Sequence, residues 1–273
     1  MKLFRFDGGR IGLTEGDASY DVTDALGIDT AAWPPVQSVA LIADFANRTR
    51  GITRHPKAKR VELAAVRLQT PIEWPNKLLA FPVNYVAHGA EMKSKNRADI
   101  NGFFLKANSS LSGPADPIVL PELPGREIHH ECELGIVIGR QGKHIPRHDA
   151  LAHVFGYACL IDVVVRGSEE RVQRKSYDTF CPFGPWITTA DEVGDPGNVQ
   201  TRLWVNGELR QDANTRDLIV DVPGMVEWCS KVATLYPGDI IAAGTPAGVG
   251  PIRRGDRVRI AIERVGEMTL AVQ

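Results

Sequence analysis

Glycine and proline interrupt this chain too often for long helices to dominate it. The 26 glycines and 18 prolines are spread along all 273 residues. Glycine frees the backbone and proline fixes it, and both end regular elements. Such spacing favours many short strands joined by turns. Leu203-Trp204-Val205 meets Glu208-Leu209-Arg210 across Asn206-Gly207, a dipeptide suited to a two-residue hairpin turn. Arg257 to Glu263 and Glu267 to Val272 flank Gly266 as a second hairpin, and Leu3 to Phe6 turns at Gly8-Gly9 into Ile11-Gly12-Leu13 as a third. Helical periodicity is confined to Ser38–Ala46, to a short stretch from Asp149 to Phe155, and to Val222–Leu235. In the last of these Val222, Met225, Val226, Cys229, Val232 and Leu235 share one face before Pro237-Gly238. The expected fold is mainly β, of the α+β kind. Residues 1–67 are expected to form a small N-terminal domain with a basic linker, and residues 68–273 a larger, metal-binding catalytic domain.

A hydrophobic content of 43% over this length is enough to bury a large core. With 32 Lys plus Arg against 33 Asp plus Glu, nothing calls for a nucleic-acid or membrane partner. No apolar run approaches the roughly 18 residues of a spanning helix. Cys132, Cys159, Cys181 and Cys229 are far apart and form no Cys-x-x-Cys pair. With no secretory signal, they are expected to be reduced thiols in a cytoplasmic protein.

The main chemical signal is His129-His130-Glu131-Cys132-Glu133-Leu134. In a strand, residues two apart share a face. If Cys132, Leu134, Ile136 and Ile138 face the core, Glu131 and Glu133 project together from the other side, beside Gly135 and Gly139. Those glycines are expected to leave room for something bound. Adjacent carboxylates repel unless solvated or neutralised, and Glu-x-Glu alone is satisfied by an exposed strand face. Asp162 adds to it, because it interrupts the apolar run Ala158 to Val165. A buried carboxylate needs a cation or strong hydrogen bonds. Three such oxygen donors suit a hard ion: Mg²⁺, with Mn²⁺ or Ca²⁺ as alternatives. A zinc site from His129, His130 and Cys132 fits less well, because only His129 shares the glutamates' face.

Several blocks then occur in one order. They are Asn84-Tyr85-Val86-Ala87-His88-Gly89-Ala90-Glu91, Phe104-Leu105-Lys106 with Ser109-Ser110, and Glu131-Cys132-Glu133-Leu134. Gly156-Tyr157 with Asp162 and Arg166 comes next, then Lys175-Ser176-Tyr177-Asp178, and last Gly244-Thr245-Pro246-Ala247-Gly248. From about Leu78 onward the chain resembles the fumarylacetoacetate hydrolase superfamily. The resemblance implies a mixed β-roll catalytic domain, Mg²⁺ on Glu131, Glu133 and Asp162, and a homodimer. It also implies a small-molecule substrate, a 2-oxo or 1,3-dicarbonyl acid, with hydrolytic C–C cleavage, decarboxylation or keto–enol isomerisation as the reactions. One stretch departs from the pattern. Where the family usually continues Arg-Asp-x-Gln, Arg166 is followed by Gly167-Ser168-Glu169.

Within that resemblance Lys175 is expected to stabilise a developing oxyanion. His88 and Glu91, three apart, meet on one side of a helix, where the carboxylate can orient an imidazole that deprotonates water. The charged segment His88 to Asp99 is read as a lid. Thr245 and Arg166 are candidates for binding the substrate's anionic groups, and Tyr85 and Lys106 are weaker ones.

Overall fold

The computed structural model describes residues 1–92 and 97–273, so residues 93–96 of the expected lid lie outside the described residues. The protein is mainly β with short helices. Among the described residues none of these is long and apolar enough to cross a membrane. A 12-stranded sheet forms the centre. Its middle is Cys181–Thr189, Val154–Ile161, Cys132–Ile138 and Ile240–Ala242, in that order, all antiparallel. Ile240–Ala242 then pairs in parallel with Leu78–Ala80. The two C-terminal hairpins build a separate four-stranded sheet, with Gln200–Val205 and Glu208–Asn214 joined through Asn206 and Gly207, both at positive φ.

The central strand Cys132–Ile138 is buried along its whole length. Its alternation still decides which core each side chain enters. Cys132, Leu134, Ile136 and Ile138 pack with Leu203, Val258 and Ile260 of the four-stranded sheet and with Met225, Val226 and Cys229. Val137 enters a second core with Leu160, Phe183, Leu3, Leu13, Leu41 and Ile42. The second face is therefore covered by N-terminal residues. Lys2–Phe6 hydrogen-bonds along Cys181–Thr189, with Leu3 opposite Ile187, and Gln37–Ala43 packs Leu41 and Ile42 onto the same core. Residues 1–67 thus share a sheet and a core with the rest of the chain.

Two local expectations change. The stretch from Asp149 is a 3₁₀ turn, Arg147–His153, that gives way at Val154 to a long strand, because Val154–Ile161 is claimed by pairing on both sides. The helix Val222–Val232 starts where the Asp221 carboxylate accepts from the Gly224 amide at 3.0 Å. It ends earlier than expected, with Ala233 extended.

The glycines beside the glutamates also have a different role. A Cβ on Gly135 would lie 2.7 Å from the Phe183 ring, and one on Gly139 would lie 2.9 Å from the Phe155 Cβ. The space at Gly135 is taken by the Phe183 ring of the second core, and the space at Gly139 by the backbone and Cβ of Phe155. Gly135→Ala is therefore expected to overpack that core and cost about 1–3 kcal/mol. Urea denaturation would measure the loss, and an unchanged midpoint would mean that Phe183 yields freely.

Candidate metal and substrate site

Two strands change sheet at the same level. Ile128–His130 and Val164–Val165 pair in a small three-stranded sheet, whereas Cys132–Ile138 and Val154–Ile161 pair in the large one. Glu131 and Asp162 occupy the crossover, and the Asp162 amide donates to the Glu131 carbonyl at 2.9 Å. Freed from regular strand geometry, both carboxylates turn into one cleft beside Glu133. Ligand oxygens of Glu131, Glu133 and Asp162 all lie within 4.8 Å of one another, and all three residues are buried.

Cations answer two of the three charges. The Lys175 Nζ donates to Glu131 Oε2 at 2.6 Å and to Asp162 Oδ2 at 2.5 Å. The buried Lys106 Nζ takes the other Asp162 oxygen and donates to the Phe180 carbonyl at 3.0 Å. Burial would raise the Glu131 pKa, but Lys175, Arg166 and His88 hold it below the ordinary carboxylate value. Burial pulls the Lys175 pKa down, but the carboxylates around it hold it above the usual lysine value. Glu133 is different. Its Oε2 accepts from the Gly244 amide at 2.7 Å. Burial and the neighbouring Asp162 charge nevertheless push its pKa well above normal. A dense, buried oxygen set still short of positive charge fits a hard divalent cation.

A cleft of about 280 Å³ opens over these residues, lined by Phe81, Val83, His88, Phe104, Arg166 and Thr245 among others. His88 and Glu91 meet on the helix Val86–Glu91, with Nδ1 and Oε2 3.1 Å apart. Glu91 is itself fixed, since Oε1 accepts from the Gly248 amide at 2.9 Å. With Nδ1–H directed at the carboxylate, the lone pair of the imidazole is on Nε2. Arg166 stands at the rim, its Nη2 3.7 Å from Glu131 Oε1.

Two expected substrate ligands lie elsewhere. Tyr85 precedes the helix and turns away from His88, so its ring is buried in the first core, outside the cleft. Lys106 has no exposure to the cleft because its ammonium is spent on Asp162 and Phe180. The zinc alternative also dissolves: Cys132 faces the core, while His130 bonds Gln211 at 3.1 Å.

Gln211 was not identifiable from sequence. It sits on the second strand of a hairpin, far from every motif, yet it joins them. Its Oε1 accepts from the Cys132 amide at 2.9 Å, and its Nε2 donates to the Thr245 hydroxyl at 2.8 Å and the Pro246 carbonyl at 2.9 Å. The Thr245 turn is held from the other side by Gly244. There φ is +92° and a Cβ would lie 2.6 Å from that of Asn84.

The chain matches the fumarylacetoacetate (FAA) hydrolase C-terminal family over residues 77–273, and it belongs to that family. It is 41% identical to a maleylpyruvate hydrolase from Aquipseudomonas alcaligenes, over 100% of this chain and 99% of the relative. It is 38% identical to a mitochondrial oxaloacetate tautomerase from Homo sapiens, over 74% of this chain and 68% of the relative. A crystal structure of maleylpyruvate hydrolase from Sphingobium sp. SYK-6, in complex with manganese(II) and pyruvate, superposes with a TM-score of 0.90 at 55% identity, covering 100% of this chain and 98% of that one.

Manganese(II) at 100 times its dissociation constant should stabilise the protein by about 2.7 kcal/mol, read as a rise in Tm. Glu131→Ala and Asp162→Ala should each remove that rise. If either variant kept it in full, the ion would bind elsewhere.

Proposed function

We propose that the protein is a divalent-metal-dependent hydrolase that cleaves a C–C bond in an acylpyruvate-like acid of the maleylpyruvate type. The observation carrying this reading is the pairing of a three-carboxylate cluster with a held His–Glu dyad over one cleft. The maleylpyruvate hydrolases similar to this chain along its full length support it. Mg²⁺ is the ion we propose for the cell, with Mn²⁺ able to replace it. Four buried free cysteines support a cytoplasmic setting, and family membership supports a homodimer.

Cleavage leaves an electron pair on carbon, which a neighbouring carbonyl must accept as an enolate. A divalent ion on the three carboxylates supplies Lewis-acid stabilisation of that charge. His88, oriented by Glu91, takes a proton from water through Nε2. The resulting hydroxide bonds to the carbonyl carbon remote from the oxo-acid group. The C–C bond then breaks, its electron pair stays on the pyruvate-type fragment, and a proton completes that product beside a free carboxylic acid. Lys175 adds positive charge at the enolate oxygen. Phe81 and Phe104 form apolar wall on the cleft, which limits competing water.

A keto–enol tautomerase is the second reading, favoured by the likeness to an oxaloacetate tautomerase. It needs the same enolate and no hydrolytic water. Product analysis separates the two: an acylpyruvate should give pyruvate and a carboxylic acid in equal amounts. Release of CO₂, or a product isomeric with the substrate, would remove the hydrolase reading. His88→Ala should slow hydrolysis by roughly 10²–10⁴-fold while leaving the metal-induced Tm shift intact. An unaffected rate would take the dyad out of the mechanism.

A further inference from the structure

The stretch Arg166-Gly167-Ser168-Glu169, where the chain departs from the family's usual residues, is tied by an ion pair and by a histidine hydrogen bond that converge on Arg166. The first is a fork: Arg126 Nη1 and Nη2 donate to the two Glu169 oxygens at 2.9 and 2.8 Å. The same guanidinium donates from Nε to the Arg166 carbonyl at 2.6 Å. Gly167 makes this possible, because a Cβ there would lie 1.9 Å from Arg126 Nη2 and 2.4 Å from Glu169 Oε2. The aspartate usual at that position has no space here. The histidine hydrogen bond holds the side chain. Arg166 Nε donates to His129 Nδ1 at 3.0 Å, which leaves His129 Nε2–H to donate to Glu127 Oε2 at 2.9 Å.

So held, the Arg166 guanidinium lines the cleft with a buried Nη2 that has no hydrogen-bond partner among the described residues. Its nearest carboxylate oxygen, Glu131 Oε1 at 3.7 Å, is too far for a hydrogen bond; a buried donor left without one is costly, and an anion would relieve it. Arg171 and Arg174 line the same wall, and neither has an ion-pair partner among the described residues. Burial lowers the Arg174 pKa, and the neighbouring Arg171 and Arg166 charges lower it further. With a divalent ion bound, the cleft carries a net positive charge, which suits a dianion better than a monoanion.

We propose that Arg126, Glu169 and His129 are positioning residues that aim Arg166 at a second carboxylate of the substrate and so select dicarboxylic oxo acids. This rests on the cleft's binding an oxo acid, as in the reading above. Replacing the usual acid and glutamine by Gly167 and Glu169 exchanges one set of side chains for a fork that anchors the arginine through its own backbone.

Binding tests this apart from turnover. The Mn²⁺-loaded full-length protein is titrated by calorimetry with pyruvate and with oxaloacetate, 2-oxoglutarate and 2-oxoadipate. The wild type should bind the best of the dicarboxylates at least tenfold more tightly than pyruvate. His129→Ala and Glu169→Gln should each weaken that ligand by roughly tenfold, the scale of one charge-assisted hydrogen bond, and leave pyruvate within twofold. His129→Gln, which retains an acceptor for Arg166, should restore most of the loss. Glu169→Gln is nearly isosteric, so it keeps the test valid if His129→Ala fails to fold. Equal losses for pyruvate and the dicarboxylates, no losses, or no wild-type preference would each overturn the proposal. With an acylpyruvate as substrate, the same variants should raise KM for a carboxylated tail with kcat within threefold. Absence of any hydrolysis alongside an intact binding split would sink the hydrolase reading and leave the positioning role standing.

Discussion

Three carboxylates share one buried cleft, and the need to neutralise them shapes everything around them. Unpaired, each would be pushed toward protonation by burial and by its neighbours. Lys175 bridges Glu131 and Asp162, and Lys106 takes the remaining Asp162 oxygen. These buried pairs are weak evidence for stability, since desolvation offsets much of their attraction. Their value lies in geometry: they keep two acids ionised and aligned. Glu133, with only a backbone amide on one oxygen, is where positive charge is still lacking.

The fold supplies this arrangement by a break in regularity. A continuous strand would set Glu131 and Glu133 side by side at the pleat spacing and leave Asp162 in register across from them. Instead the chain leaves one sheet at Glu131 and its partner does so at Asp162 and Val163, with a single backbone hydrogen bond spanning the gap. Such a crossover costs ladder hydrogen bonds. It is tolerable because Gln211 satisfies the orphaned Cys132 amide and both faces of the large sheet are packed.

How much of this was legible in the sequence depended on range. The acids could be read because an aspartate inside an apolar run demands compensation wherever it folds. The His88–Glu91 contact could be read because three residues on a helix fix it locally. The hairpin at Asn206-Gly207 could be read for the same reason. The role of Gly135 could not, because periodicity says which side a residue faces and nothing about what lies there. The answer was Phe183, on a strand far along the chain, and an N-terminal segment covering it. The part Lys106 plays in the fold is hidden for a related reason: its basic chemistry is visible, but its carboxylate partner is 56 positions distant. Gln211, a polar residue in an ordinary hairpin, carried no signal at all.

The departure at Gly167 and Glu169 connects these points. Judged by sequence it weakens a pattern, since two side chains of expected type are missing beside a metal ligand. Judged by contacts, the glycine and the glutamate are one change, because the fork of Arg126 and Glu169 occupies the volume that any larger residue at 167 would need. Losing the side chain at 167 while keeping an uncharged residue at 169 would leave Arg126 without its ion-pair partner. A site can therefore exchange its supporting residues as a set while its acids stay in place. The acids are bound by the electrostatics of a buried cation site, whereas the supports need only hold one guanidinium at one rim of the cleft.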